Sequence, residues 1–159
     1  YAPVTIKNNP LLLLMNTSKI PVTLRWADFD PNFHLRHSVY YDFAATARVA
    51  FLTAHGLSTQ LMIERHFGPI LFREEALFRK EVRPGDELYI TVAVTKLRRD
   101  ASRFSFRHEL IRSSDHAVCA IMNIDGAWID TNLRKLTVPP QEVFELMENA
   151  PRAEDFEWV

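Results

Sequence analysis

The sequence has little cysteine and little glycine, and both shortages exclude common kinds of functional site. Its 159 residues include one cysteine, Cys119, so an internal disulfide or a zinc ribbon cannot form. Its four glycines, Gly56, Gly68, Gly85 and Gly126, are widely spaced. Phosphate-binding loops and dinucleotide-binding fingerprints need several glycines within a few residues. Both kinds of nucleotide site are therefore excluded.

Long apolar runs and a surplus of one charge are also missing. The longest apolar run near the start extends only from Leu11 to Met15. A membrane-spanning helix needs about 20 apolar residues and a signal-peptide core about 7. The 19 basic and 20 acidic residues give a net charge of -1, which argues against general binding to nucleic acid or to an acidic membrane. We expect a cytoplasmic domain with no nucleic-acid or membrane partner.

The apolar content is sufficient for one core, because 47% of the residues are hydrophobic. We found no repeat, low-complexity segment or internal linker. We therefore expect three parts: an N-terminal arm (residues 1–17), a single domain (18–150) and an acidic, solvated C-terminal tail (151–159).

The segment from Ser38 to His55 has the apolar spacing of a helix. Ser38 is a suitable N-cap, and Gly56 is a suitable residue just beyond the C-terminus. The segment is rich in alanine, and small side chains let a helix lie close to a sheet. We expect a central helix wrapped by strands.

Strand-like segments alternate with turn signals along the rest of the chain, so short connections predict an antiparallel sheet and an α+β fold. In Leu88–Leu97 and Arg103–Ile111 every second residue is expected to face the core, and Gly126 is expected to mark a bulge. The stretch from Ser58 to Phe67 is short and polar, and its pattern predicts neither a helix nor a strand. The predicted strands are Ile20–Trp26, Ile70–Val82, Leu88–Leu97, Arg103–Ile111 and Ala117–Ile129, and a short helix is predicted over Gln141–Glu148.

Two aspartates and two histidines, Asp28, Asp30, His34 and His37, lie within ten residues just before the long helix. A helix N-terminus presents free N–H groups and a partial positive charge, which can polarise a carbonyl and stabilise an oxyanion. A nearby carboxylate can act as a base or a nucleophile. The pattern is suited to hydrolysis of an activated acyl group.

This loop resembles the 4-hydroxybenzoyl-CoA-thioesterase-like branch of the hotdog-fold acyl-CoA thioesterases. That branch has an Asp-x-Asp pair, commonly followed by His, a hydrophobic residue and Tyr, which are Asp28, Asp30, His34, Leu35 and Tyr40 here. The resemblance covers roughly residues 18–145. It implies a hotdog fold, in which an antiparallel sheet wraps around a long central helix. The further matching segments are Ala47–Leu52, His55–Leu57, Pro84–Leu88 and Leu136–Pro139.

The resemblance also implies roles for the loop residues. Asp30 would be the catalytic carboxylate, either as general base or as nucleophile. The backbone N–H of His37 would polarise the thioester carbonyl, and His34 is a further catalytic candidate, with a structural role as its alternative. Tyr40 would shape the acyl pocket, and Asp28 would orient the loop at the substrate. A homodimer or homotetramer with shared sites is implied, without a cofactor.

The loop departs from that family pattern at three positions. Phe33 replaces the usual glycine, and Arg36 and His37 replace the usual pair of asparagines. Glycine reaches positive φ at little cost and phenylalanine does not, so Phe33 predicts a changed loop conformation. Arg36 and His37 place side chains that can carry charge where the family usually has side-chain amides. This difference indicates that the substrate differs from the usual one of the family.

Basic residues are concentrated in the predicted hairpin, where six of the 19 lie between positions 96 and 112. Arginine binds phosphate well, so we expect Arg98, Arg99 and Arg103 to hold the nucleotide phosphates of coenzyme A. A solvated strand face is the alternative interpretation.

Three other chemistries were weighed against hydrolysis. Asp28, Asp30, His34 and His37 are metal-ligand types, but their spacing is not specific, and we assign no metal. Cys119 lies in an apolar strand and is expected to be inert rather than nucleophilic. A dehydratase would need a carboxylate within the central helix.

Two alternatives within the same fold stay open. The central helix offers only Asp42, near its start, and Thr46 to a dehydratase, and the Asp-Pro-Asn-Phe-His sequence matches a hydratase loop only loosely. A protein that binds or senses acyl-CoA without turnover is favoured by Phe33 and Arg36.

Overall fold

The computed structural model describes residues 19–159. The predicted N-terminal arm, residues 1–17, lies outside the described residues. No helix within the described range is long and apolar enough to cross a membrane.

The long helix α1 spans Val39–Ala54, which confirms the predicted segment. Gly56 follows it with φ of +88°, the left-handed conformation that ends many helices. The expected cap at Ser38 is wrong, because Ser38 has helical φ and ψ and its side chain makes no capping hydrogen bond. The Val39 N–H instead donates to the Arg36 carbonyl at 3.0 Å, so a backbone turn leads into the helix.

In the part of the chain that the structure describes, eight strands form one sheet, and every pair of neighbours is antiparallel except β4 with β8. The predicted strand Leu88–Leu97 is divided at Val92, and β5 pairs with both halves along one edge and with β6 along the other. β6 also pairs with β2. The strands are β1 Lys19–Val22, β2 Phe67–Phe78, β3 Leu88–Thr91, β4 Ala93–Leu97, β5 Arg103–Arg112, β6 Val118–Asp130, β7 Lys135–Leu136 and β8 Arg152–Trp158.

The core lies between α1 and the sheet, as the alanine-rich helix predicted. Ala44 and Ala47 are 0% and 1% exposed, so the backbone of α1 lies close to the strands. The predicted alternation is confirmed, and its inward residues are buried: Leu88, Ile90, Val92 and Val94, then Phe104, Phe106, His108 and Leu110. The fold is α+β with a central helix, as expected.

Among residues 19–159, two further α-helices and one 3₁₀ turn, Trp26–Asp28, accompany α1. The predicted helix near the end is α3, Gln141–Asn149. The unassigned stretch after α1 contains α2, Thr59–Glu64, whose N-terminus is capped by the Ser58 hydroxyl accepting from the Leu61 N–H at 3.1 Å.

The C-terminal segment is a strand, so its description as a solvated tail is wrong. β8 pairs in parallel with β4. Arg107 donates to both carboxylate oxygens of Asp155, at 2.9 and 2.8 Å, and Lys96 lies 2.7 Å from Glu157. The acidic side chains are thus partners for the basic residues of the hairpin.

The expected bulge lies on the strand opposite Gly126. The register shifts between Leu71 and Arg73 of β2, where Phe72 is the additional residue. Gly126 itself is required by close packing, because a Cβ there would lie 2.7 Å from the Ile70 carbonyl oxygen and from the Phe104 ring.

Candidate active site

The polar loop before α1 folds into a turn around the Asp30 carboxylate. The Oδ1 atom accepts hydrogen bonds from the Asn32 N–H at 2.8 Å and the His34 N–H at 3.0 Å. The Asp30 N–H donates to the His34 carbonyl at 2.9 Å, and Phe29 and Leu35 form a β-bridge around the turn. The side chain of Asp30 is half-buried and fixed by backbone groups.

Phe33 adopts the backbone conformation that a glycine would take at low cost. Its φ is +61°, in the left-handed region. The replacement of glycine by Phe33 has therefore not removed positive φ from the loop. The Phe33 ring is 57% exposed and lies 6.3 Å from the Trp26 ring, centroid to centroid.

Asp28 stabilises the loop through hydrogen bonds of its buried side chain and of its carbonyl. It is fully buried, and Arg25 binds it through the side chain at 2.7 Å to Oδ1 and through the backbone N–H at 2.8 Å to Oδ2. These hydrogen bonds hold the pKa of the Asp28 carboxyl below its usual range, despite the opposing effect of burial. The Asp28 carbonyl also accepts from the Arg36 N–H at 2.9 Å. Asp28 thus joins the residues before the turn, through Arg25, to the residues after it, through Arg36.

A cleft of about 380 Å³ opens beside Asp30 and collects most of the predicted site residues. Asp30, His34, His37 and Tyr40 line it together, but Asp28 does not. The opposite wall was not predicted and comes from the end of β2 and the residues after it: Phe78, Arg79, Lys80, Glu81 and Val82. The charged run Arg79–Glu81 was visible in the sequence, but its pairing with the loop is a tertiary contact.

His34 is bound to this unpredicted wall. Its Nε2 lies 2.8 Å from Glu81 Oε2, and the neighbouring Leu35 N–H donates to the Val82 carbonyl at 3.0 Å. Both the His34 and Glu81 side chains are nearly half exposed. The contact joins the loop to the end of β2 and places an imidazole at the mouth of the cleft.

His37 and Tyr40 form the end of the cleft nearest α1. His37 is exposed and lies in the turn before the helix, where backbone N–H groups lack helical partners. Tyr40 is 4% exposed, and its ring meets the Phe78 ring edge-on at 5.0 Å. Burial raises the pKa of Tyr40 to about 12, so its hydroxyl stays neutral in neutral solution.

The three arginines expected to bind phosphate do not line the cleft that contains Asp30. Arg98 and Arg103 line a separate cleft of about 240 Å³, which shares no lining residue with the Asp30 cleft. Arg99 stacks over the Trp158 ring at 4.6 Å, and Arg103 lies over the Phe72 ring at 5.4 Å.

A buried polar network fixes α1 to the sheet, and sequence reasoning missed it. Arg48 of α1 donates through Nη1 to Glu74 of β2 and to Nε2 of His108, both at 3.3 Å. Because arginine is only a donor, Nε2 accepts and Nδ1 carries the proton donated to the Thr91 carbonyl at 3.0 Å. Burial and the Arg48 charge lower the pKa of His108 to about 3.

The structure does not favour a metal site or a nucleophilic cysteine. No group of three or more His, Cys, Asp or Glu side chains placed to hold a metal ion occurs among residues 19–159. Cys119 is fully buried, and burial raises the pKa of its thiol, which disfavours the reactive thiolate.

Solved structures with the same fold include several thioesterases. A 1,4-dihydroxy-2-naphthoyl-CoA thioesterase from Synechocystis is 20% identical, with a TM-score of 0.74 over 82% of this chain and 95% of that one. A gentisyl-coenzyme A thioesterase is 19% identical, with a TM-score of 0.71 over 81% and 98%. A Staphylococcus aureus protein solved with CoA is 17% identical, with a TM-score of 0.77 over 85% and 86%.

No curated protein matches the sequence. A family model described as the thioesterase-like superfamily matches residues 24–147, which include the whole Asp30 loop, α1 and the strands β2 to β7. The fold, the central helix and this match show that the chain belongs to the thioesterase-like superfamily and has its hotdog fold.

Proposed function

We propose that the protein hydrolyses an acyl-CoA thioester to the free acid and CoA. The observation that carries this proposal is the Asp30 carboxylate, which lies in an open cleft beside the N-terminus of α1. A carboxylate and a helix N-terminus together supply a base or nucleophile and a group that stabilises negative charge on oxygen.

In the general-base route, Asp30 takes a proton from a water molecule as the water oxygen attacks the thioester carbonyl. The backbone N–H groups of Asn32 and His34 both donate to Oδ1 of Asp30. The proton from water is therefore accepted by Oδ2, to which neither of them donates. The negative charge that develops on the carbonyl oxygen is stabilised by the His37 N–H and the partial positive charge of the α1 N-terminus. Collapse of the tetrahedral intermediate breaks the C–S bond, and the departing sulfur takes the proton back from Asp30, so that CoA and the free acid leave and the carboxylate is restored.

In the nucleophilic route, the Asp30 carboxylate attacks the same carbonyl carbon and displaces the CoA thiolate. Water then hydrolyses the resulting anhydride, which restores the Asp30 carboxylate and releases the acid. The same geometry supports either route, and both require Asp30 to be ionised.

The other loop residues have supporting roles in this proposal. Tyr40 and Phe78 form an apolar wall for the acyl group, and the neutral Tyr40 hydroxyl adds no charge there. His34, bound to Glu81, contacts the substrate at the mouth of the cleft or holds the end of β2 in place. Asp28 positions the turn through Arg25 and Arg36.

We further propose that the active form is a homodimer or homotetramer in the cytoplasm. Apolar side chains of β2 are exposed, among them Leu71, Phe72, Leu77 and Phe78, and such patches mark interaction surfaces. In an oligomer, Arg98, Arg99 and Arg103 of one subunit hold the CoA phosphates of a substrate whose thioester lies at Asp30 of another. This arrangement accounts for the separation of the two clefts.

A panel of short-chain, long-chain and aromatic acyl-CoAs tests the proposed reaction, with release of free thiol as the signal. We expect turnover of at least one member. Acyl-CoA binding without thiol release from any member would contradict hydrolysis and favour a binding protein. Addition of water to an unsaturated acyl-CoA without thiol release would instead indicate a hydratase.

A further inference from the structure

The turn that contains Asp30 includes an unfavourable backbone conformation. Phe33, inside the turn, has φ of +61°, which is strained for a residue with a Cβ. A strained conformation persists only where the surrounding structure fixes it. The contacts that fix this turn therefore determine where the Asp30 carboxylate lies.

His34 follows Phe33 and is joined to Asp30 by two backbone groups. The His34 N–H donates to Asp30 Oδ1 at 3.0 Å, and the His34 carbonyl accepts from the Asp30 N–H at 2.9 Å. A displacement of the His34 backbone would therefore move the carboxylate as well. The position of Asp30 thus depends on what holds His34.

The side chain of His34 is held by Glu81, which follows β2. Glu81 Oε2 lies 2.8 Å from His34 Nε2. The next residue of each segment is joined too, because the Leu35 N–H donates to the Val82 carbonyl at 3.0 Å. These two contacts fix the end of the strained turn to the chain that leaves the sheet.

Glu81 can be substituted without leaving a buried charge. The His34 and Glu81 side chains are both nearly half exposed. The second oxygen of Glu81, Oε1, binds the exposed side chain of Arg83. Ion pairs at such exposure contribute little to stability, so we expect variants at these positions to fold.

We propose that Glu81 is a positioning residue, which through His34 holds the strained turn in the conformation that places the Asp30 carboxylate at the thioester. This role rests on the proposed hydrolysis by Asp30. Glu81 acts through its hydrogen bond with His34 and not on the reacting atoms. The His34 imidazole accordingly serves as a hydrogen-bonding group and exchanges no proton with the substrate.

Glu81→Ala and Glu81→Gln test this role, because both remove the charge and only glutamine keeps an oxygen that accepts from His34 Nε2. With the best acyl-CoA of the panel, we expect Glu81→Ala to lower kcat by about ten-fold at unchanged KM, since misplacing a reacting group slows the chemical step. The kcat of Glu81→Gln should be about five-fold or more above that of Glu81→Ala. Equal losses would show that only the charge matters, and would overturn the proposal.

Arg83→Met is the matched control for these variants. It removes the partner of Glu81 Oε1 and leaves the contact with His34 in place. We expect its kcat to equal that of the wild type. A loss as large as that of Glu81→Ala would overturn the assignment to His34.

Substitutions at His34 separate positioning from proton transfer. The side-chain amide of His34→Gln can donate to Glu81 from near the position of Nε2, but it cannot exchange a proton at neutral pH. We expect the kcat of His34→Gln to be about five-fold or more above that of His34→Ala. Equal losses in both would mean that the imidazole itself acts on the substrate, contrary to the proposal.

The strain at Phe33 supplies a further test. Glycine adopts positive φ at little cost, so the turn of Phe33→Gly needs less support. In that background we expect Glu81→Ala to lower kcat by only about three-fold. The full ten-fold loss in the Phe33→Gly background would contradict the holding of a strained turn by Glu81.

Hydrogen exchange of the His34 backbone amide, measured by NMR, reports on the turn without any substrate. Glu81→Ala should speed this exchange by about five-fold or more, and Glu81→Gln and Arg83→Met should speed it less. Unchanged exchange in Glu81→Ala would overturn the proposal. If the wild type hydrolyses no acyl-CoA while the exchange responds as expected, the proposed hydrolysis fails and the connection from Glu81 to the turn is supported.

Discussion

Phe33 helps to shape the loop of the candidate site, and its backbone conformation there is energetically unfavourable. Its φ of +61° is unfavourable for a residue with a Cβ, by roughly 1–2 kcal/mol. The turn that holds Asp30 includes this residue, because the Phe33 N–H donates to the Asp30 carbonyl at 2.9 Å. The chain therefore carries strain where it positions its carboxylate.

Two variants at this position separate the strain from the ring contact with Trp26. Phe33→Gly and Phe33→Ala both remove the ring, but only glycine is comfortable at positive φ. We expect the glycine variant to be more stable than the alanine variant by about 1 kcal/mol in chemical unfolding. An alanine variant as stable as the glycine variant would show that the loop does not hold position 33 at positive φ.

His108 makes stability depend on pH. The unfolded chain binds a proton at this histidine near its ordinary pKa of 6.5, whereas the folded chain binds it only near 3. Between these values the unfolded state holds the additional proton, so the free energy of unfolding falls as the pH is lowered. The loss is at most about 1.4 kcal/mol for each pH unit.

His108→Gln removes this titrating group. From pH 7 to pH 5 we expect the free energy of unfolding of the variant to fall less steeply than that of the wild type. Urea unfolding at several pH values measures both slopes, and His116→Gln is the control because His116 is exposed. A His108→Gln slope equal to that of the wild type would mean that His108 is not buried in its neutral form.

Among the elements, β8 shows what sequence pattern alone could not establish. The Phe156 and Trp158 side chains are half-buried and pack against the core, and their rings meet edge-on at 5.3 Å. The acidic residues of the same strand, Glu154, Asp155 and Glu157, made the segment look solvated. Their partners, Arg107 and Lys96, lie far away in the sequence, so the pairing was not visible there.

Phe156→Ala tests whether β8 contributes to the fold. Loss of a half-buried ring should lower the free energy of unfolding by about 1–2 kcal/mol, less than for a fully buried phenylalanine. Glu154→Ala, on the same strand with an exposed side chain, should change it by less than about 0.5 kcal/mol. Thermal unfolding of both variants measures the difference, and equal values would contradict a packed β8.

Local patterns were sufficient to predict α1, the main strands and the Asp30 loop. Apolar periodicity located α1 within a residue, and alternation identified the inward face of β5. Contacts distant in sequence were not predictable from such patterns. The wall formed by Phe78 to Val82, the Arg48–Glu74–His108 network and the parallel pairing of β8 all depend on tertiary packing.

For the whole molecule, the exposed face of β2 is the feature that bears on assembly. Within the sheet of residues 19–159, β2 pairs with β6 alone. Several apolar side chains of β2 are exposed. A strand with an unpaired edge and an apolar surface is suited to association.

Sedimentation measures whether β2 mediates association. We expect the wild type to have at least twice the mass of one chain, and Leu77→Glu to shift the equilibrium toward monomer. Leu133→Glu, at an exposed apolar residue in the turn after β6, should leave the mass unchanged. A monomeric wild type would contradict the oligomeric proposal and would leave the arginine cleft without access to Asp30.

The central claim, that Asp30 carries out thioester hydrolysis, is tested most directly by the kinetics of Asp30→Asn. The asparagine side-chain oxygen can still accept from the Asn32 and His34 amides, so the turn should persist without its charge. Asp42→Asn, in the first turn of α1, is the control. With the best acyl-CoA of the panel, we expect Asp30→Asn to lower kcat/KM by about 100- to 10,000-fold, with unchanged circular dichroism and mass. Thiol release at the wild-type rate from Asp30→Asn would contradict the account.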